Sequence, residues 1–70
     1  MEPKVGGIYQ HYKGNRYRVI ALARHSETLE DLVIYEALYE GGGIWARPLE
    51  MFCDHVTVDG QEMRRFTPLK

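Results

Sequence analysis

A mostly β fold is what this sequence predicts: a small SH3-like barrel of about five or six short antiparallel strands, with one short helical turn near residues 49–53. Three observations predict it. Apolar residues alternate with a period of two through Arg16 to His25 and again through Leu32 to Glu40. Turn strings punctuate the chain at Lys13-Gly14-Asn15, Gly41-Gly42-Gly43 and Asp59-Gly60. The chain is only 70 residues long, and closing a small sheet into a barrel removes exposed strand edges.

The elements follow in order. Ile8 to Tyr12 is a short aromatic-rich strand, and Lys13-Gly14-Asn15 turns it back, because Gly and Asn tolerate positive φ. In Arg16 to His25, Tyr17, Val19, Ala21 and Ala23 fall on one face. Leu32 to Glu40 repeats the pattern with Val33, Tyr35, Ala37 and Tyr39. A helix capped by Ser26 and running through Glu30, Leu32 and Ala37 is the rival reading, since Leu, Glu and Ala favour helix. The β-branched and aromatic Val33-Ile34-Tyr35 favours strand, and so does the pairing. Folding the chain back at Ser26 to Asp31 sets Tyr17 opposite Tyr39, Val19 opposite Ala37, Ala21 opposite Tyr35 and Ala23 opposite Val33. Small residues then face large ones. Arg16 meets Glu40, and Arg18 lies diagonal to Glu36 and Glu40.

Beyond the flexible glycine turn, Ile44 to Leu49 is a short strand that Pro48 ends or confines to an edge. Glu50-Met51-Phe52-Cys53 reads as a single helical turn. His55 to Val58 is a strand with Val56 and Val58 inward. Asp59-Gly60 is a hairpin signal, and Met63 to Phe66 returns as the last strand. The whole chain, residues 1–70, is expected to form one domain with its core at about residues 6–66.

Composition narrows the function classes. The chain is 44% hydrophobic and 27% charged, which argues against disorder. Nine Lys and Arg against ten Asp and Glu give a formal net charge of -1, without the basic excess of most nucleic-acid binders. The one cysteine, Cys53, cannot form an intrachain disulfide and fits a reducing cytoplasm. Neither a signal peptide nor a membrane helix is expected. A small soluble cytoplasmic protein is therefore the expectation.

Several strings are distinctive together: His11-Tyr12-Lys13-Gly14, Arg16-Tyr17-Arg18-Val19, Ala23-Arg24-His25-Ser26-Glu27-Thr28, Val33-Ile34-Tyr35, Leu38-Tyr39, Trp45-Ala46-Arg47-Pro48 and Met51-Phe52. With these the chain resembles a bacterial domain-of-unknown-function family of short β-rich proteins, over roughly residues 6 to 66. The Arg-His-Ser-Glu-Thr and Trp-x-Arg-Pro strings are the most specific parts. The resemblance implies a compact β-rich domain and no particular activity, substrate or catalytic residue.

The candidate binding surface comprises Arg24, His25, Ser26, Glu27, Trp45 and Arg47. The first four leave a strand at a loop, and loops on rigid scaffolds often carry function. In the register above His25 faces Asp31, and a His held by a carboxylate can act as a general base. The plainer alternative is a turn closed by the hydroxyls of Ser26 and Thr28. Trp45 and Arg47 share a strand face. With Tyr9, Tyr12 or Tyr39 nearby they would form an aromatic and cationic groove for a peptide or a stacked base. The alternative is a core Trp45, with Arg47 paired to Glu36 or Glu50.

Cys53 and His55, completed by His11 and His25, would make a poor metal site, because only one short-spaced pair exists. No metal and no cofactor is expected. Cys53 reads as an ordinary thiol in an apolar turn. Arg64 and Arg65 remain as free cations near the C-terminus. Ile20, Leu22, Leu32, Ile34 and Leu38 leave a second apolar face on the long hairpin, which makes a homodimer possible.

The functional expectation is a non-enzymatic interaction module that recognises a peptide, a protein or its own copy. A ligand-binding domain or small enzyme built on Arg24, His25, Glu27 and Arg47 is the alternative. An RNA- or ribosome-associated barrel is a second alternative, and nucleic acid is the less favoured partner.

Overall fold

Turn chemistry sets the order of the strands. In the computed structural model, which describes residues 3–69, Gly14 takes φ 110° and closes β1 (Ile8–His11) onto β2 (Arg16–Arg24). The polar run after Arg24 returns the chain as β3 (Asp31–Ala37), and the triple glycine leads into β4 (Ile44–Pro48). A single helical turn, α1 (Leu49–Phe52), follows at the place the sequence indicates. Asp59 and Gly60 both have positive φ, 52° and 78°, as a two-residue hairpin turn requires. They join β5 (His55–Val58) to β6 (Gln61–Arg64). The chain then breaks at Arg65 and adds a seventh strand, β7 (Phe66–Leu69).

All strand pairs are antiparallel. The main sheet has the order β4-β3-β2-β1-β7, and β5-β6 forms a separate ribbon. The mostly β class holds, and residues 26–37 contain no helix. The barrel is open: among the described residues no ladder joins the edge strands β4 and β7. Phe52 from α1 and Phe66 from β7 occupy the space between, stacked at 4.0 Å with rings 6° from parallel.

The register of the central hairpin departs from expectation. Tyr17 meets Ala37 rather than Tyr39, and Ala23 meets Leu32 rather than Val33. Between these points the ladder skips Ile20, a β-bulge between Val19 and Ala21. A bulge adds one residue to one strand and interrupts its alternation. Beyond it, Leu22 rather than Ala21 shares a face with Val33. Strict period-two reading therefore assigned Ala21 and Ala23 to the wrong face. Asp31 meets Arg24 rather than His25, and Arg18 lies directly opposite Glu36, with a 3.2 Å ion pair.

The core is aromatic rather than aliphatic. Tyr9, Val19, Val33, Tyr35, Phe52 and Phe66 are buried, with Tyr17, Leu49 and Cys53 packed against them. Tyr35 meets both stacked phenylalanines edge-on, at 5.6 Å each, and Tyr9 meets Phe52 at 5.4 Å. Such pairs contribute about 0.5–1.5 kcal/mol each beyond their burial, which matters in a chain this short. Val56 and Val58 are half-buried while His55 and Thr57 are exposed, the alternation the sequence indicated. No helix among the described residues is long and apolar enough to cross a membrane.

Candidate functional site

Antiparallel order separates the candidate residues into two groups. The β2–β3 connection lies at one end of the sheet. The β1–β2 and β3–β4 turns lie together at the other, where Arg16 and Ala37 stand. Arg24, His25, Ser26 and Glu27 belong to the first end. Trp45 and Arg47 sit on β4, opposite Tyr35 and Val33.

The Arg24–Thr28 string builds a turn. His25 Nδ1 accepts the backbone N–H groups of Glu27 at 3.0 Å and Thr28 at 3.3 Å. Thr28 Oγ1 accepts from Glu30 N at 3.2 Å. The His25 N–H donates to Glu30 O, and Leu29, at φ 63°, donates to His25 O. Arg24 lies 3.8 Å from Asp31, both well exposed. Ser26 and Glu27 project into solvent. The imidazole nitrogen that a general base would use is already an acceptor for the loop backbone.

The opposite end holds a cleft of about 390 Å³. Its lining contains Lys13, Arg47 and Arg65 and no Asp or Glu, together with the rings of Tyr12, Tyr39 and Trp45. Arg24, His25 and Glu27 are not part of it. Trp45 is 53% exposed, so the core reading of this residue fails. Its indole Nε1 donates to Gly42 O at 2.6 Å, which fixes the ring against the β3–β4 turn. That turn is built rather than loose. A Cβ on Gly42 would collide with Ala37 Cβ and the Tyr39 ring, so only glycine fits there.

Arg47 pairs with neither Glu36 nor Glu50. Its Nε donates to the buried Tyr35 hydroxyl at 3.2 Å, and its guanidinium lies 5.6 Å from the centre of the Phe66 ring. Lys13 stands 5.9 Å over Tyr12. Among the described residues neither cation has a carboxylate partner. Arg65 is different. Its Nε and Nη2 donate to the two carboxylate oxygens of Asp54 at 2.6 and 3.3 Å. This fork holds the Asp54 carboxyl below its ordinary range and raises Arg65, so the expectation of a free Arg65 is corrected.

The remaining wall is set by burial and shared hydrogen bonds. His11 is pushed below the ordinary imidazole value, first by burial and then by Arg47, Arg65 and Lys13. Its Nδ1 accepts from Lys13 N at 3.2 Å. Tyr17 is pushed up to about 12, first by burial and then by the Tyr39 hydroxyl 3.5 Å away. Tyr9, expected near the groove, is buried in the core, and its hydroxyl accepts from Lys4 N at 2.8 Å.

His11, Lys13, Tyr17 and Arg65 were not singled out from sequence as site residues. The available signal was topological: two turns that an antiparallel sheet must bring to one end. No three His, Cys, Asp or Glu side chains among the described residues gather in a way that could hold a metal ion.

Fold and cleft together define a small open β-barrel module with an aromatic, cationic concavity at one end. The chain belongs to the family described as "Protein of unknown function (DUF1653)", whose pattern matches residues 7–68. It is similar to a member of that family from Bordetella bronchiseptica whose crystal structure is known. The two are 36% identical with a TM-score of 0.81, over 89% of this chain and 82% of that one. No curated protein matches the chain.

Proposed function

We propose that this protein is a non-enzymatic interaction module whose cleft takes a peptide or protein segment bearing carboxylates. One observation carries the reading. An exposed Trp45 and an Arg47 without a carboxylate partner among the described residues share one strand face, above a cleft whose described lining holds further rings and cations but no acid. Aromatic-lined grooves with a few charged groups are a recurrent peptide-binding arrangement. Three of the other five arginines are already engaged: Arg18 by Glu36, Arg24 by Asp31 and Arg65 by Asp54. That leaves a local cationic spot rather than the long stripe that tracks a nucleic-acid backbone. A cytoplasmic setting belongs to the same reading, and the single thiol of Cys53 agrees with it.

Trp45 is the only tryptophan, so its emission reports the cleft directly. Titration with a capped heptapeptide of alternating Glu and Val is expected to give a saturable emission change. Replacing Glu by Gln in the peptide, or Lys13→Glu in the protein, is expected to abolish it. The absence of saturable change up to roughly 1 mM peptide, where binding supplies only about 4 kcal/mol, defeats the proposal.

A further inference from the structure

We infer that the partner segment binds as an added strand along the outer edge of β4, with its acidic side chains toward Arg47 and Lys13 and its alternate apolar side chains beside Ile44 and Ala46. The inference rests on the peptide reading above and specifies its geometry.

The backbone of β4 has a free side. The Ala37 N–H donates to Gly43 O at 2.9 Å. In an antiparallel ladder, hydrogen-bonded and non-bonded pairs alternate. Counting from that bond, Tyr35–Trp45 and Val33–Arg47 are the bonded pairs of the β3–β4 register. The N–H and C=O groups of Ile44 and Ala46 therefore point away from β3. Position 48, next in that row, is a proline with no N–H to leave unmet. Among the described residues no strand lies beyond β4 in the sheet, and its main packing partners are β3 and α1. Ile44 is 65% exposed, and Ala46 is exposed as well.

The other edge is different. The Tyr12 N–H donates to Arg65 O at 2.9 Å, so within β7 the outward row consists of Phe66 and Pro68. Proline there removes a donor, a common way to blunt an edge. Of the two edges of the five-stranded sheet, β4 is the one that joins two successive outward donors, at Ile44 and Ala46, to the cleft that holds Trp45 and Arg47.

Side-chain alternation identifies the occupant. Trp45 and Arg47 face the cleft, with Lys13 across it, whereas Ile44 and Ala46 face the opposite side. An extended segment on this edge has the same period of two. The charge complement is carboxylates at every second position, and the surface complement is apolar residues between them. Backbone pairing would supply affinity, and the alternation would supply selectivity.

The test uses the full chain and the alternating Glu-Val heptapeptide in two N-methylated forms, one methylated at the Glu residues and one at the Val residues. All N–H groups of one set point to the same side of a strand. Strand addition therefore predicts that one form loses roughly tenfold or more in affinity, while the other stays within about threefold of the parent. The Ile44 and Ala46 amides are also expected to become protected from hydrogen exchange on binding. Equal affinities for both forms, with the parent still bound, overturn the added strand and leave the cleft reading intact. No binding of the parent overturns both. A dimer mass for the peptide-free chain, abolished by Ile44→Lys, would assign the edge to a second copy and overturn the inference. So would tighter binding of oligo-dT than of the peptide.

Discussion

At the β2–β3 end of the sheet, His25 and Thr28 direct their acceptor atoms at the N–H groups of their own loop, and Arg24 stands by Asp31. In the cleft that reaches from the β1–β2 turn across to β4, Lys13 and Arg47 lack carboxylate partners among the described residues, and Trp45 lies open to solvent. Both ends carry basic and hydrogen-bonding side chains, and the first is the more conspicuous as a string. The difference is in what those groups already do. A polar residue whose bonding capacity is used by its own turn stabilises the turn, and a cation left without a counter-charge is available to a ligand.

Substitutions can break or sharpen this contrast, beginning with the largest expected effect. Phe66 forms the floor under Arg47 and His11 and is buried. Phe66→Ala is expected to cost about 3–5 kcal/mol in urea unfolding. A loss below about 1 kcal/mol would mean that the cleft end does not rest on the aromatic core. Gly42→Ala forces a methyl into Ala37 and Tyr39, an overpacking worth about 1–3 kcal/mol. It is also expected to release the Trp45 indole from Gly42 O, seen as a shift in tryptophan emission.

Alkaline titration comes next. The folded chain holds the Tyr17 proton more tightly than a free phenol does, with its value raised to about 12 from 10.0. That contribution is fully present below pH 10.0 and is lost as the pH rises toward about 12. Tyr17→Phe should flatten the stability profile over this window, and a profile unchanged by the substitution would disprove the assignment.

His25→Ala removes one acceptor from two loop N–H groups at an exposed site and should cost about 0.5–1.5 kcal/mol, with affinity for the acidic peptide unchanged. Full stability together with lost peptide binding would move the site to the other end and reverse the contrast. Trp45→Ala is the smallest of the set in stability, within about 0.5 kcal/mol, although peptide binding, followed by calorimetry in this variant, should be lost.

The sequence was most legible where local chemistry decides structure. The Asp59-Gly60 hairpin, the turn at Gly14 and the helical turn before Cys53 all follow from residue types within a few positions of one another. Three features depended on distant parts of the chain. The register was misread by one residue at the loop, where Arg24 rather than His25 meets Asp31, and by one more at Ile20, where a bulge keeps the composition of a regular strand. β7 was missed because Pro68 resembles a strand breaker, yet on an edge its missing N–H faces outward and costs no ladder bond. Half of the site was missed because Lys13 and Trp45 come to line one cleft only once three strands have been laid side by side. Trp45 and Arg47 were found from their spacing. The Arg-His-Ser-Glu-Thr string was equally visible, but no sequence pattern reveals that its imidazole is already occupied.

The extra residue in β2 also has a mechanical side. With Ile20 omitted, the remaining pairs run without interruption, Val19 on Tyr35 and then Ala21 on Ile34. The faces also alternate without a break. Ile20 therefore adds length to one strand and none to its partner, and a ribbon lengthened along one margin must curl toward the other. β2 is the longest strand, at nine residues, and it passes across the aromatic core. The surplus residue gives that strand its arc, so a chain lacking it would keep every side chain addressed to its present face on a straighter sheet.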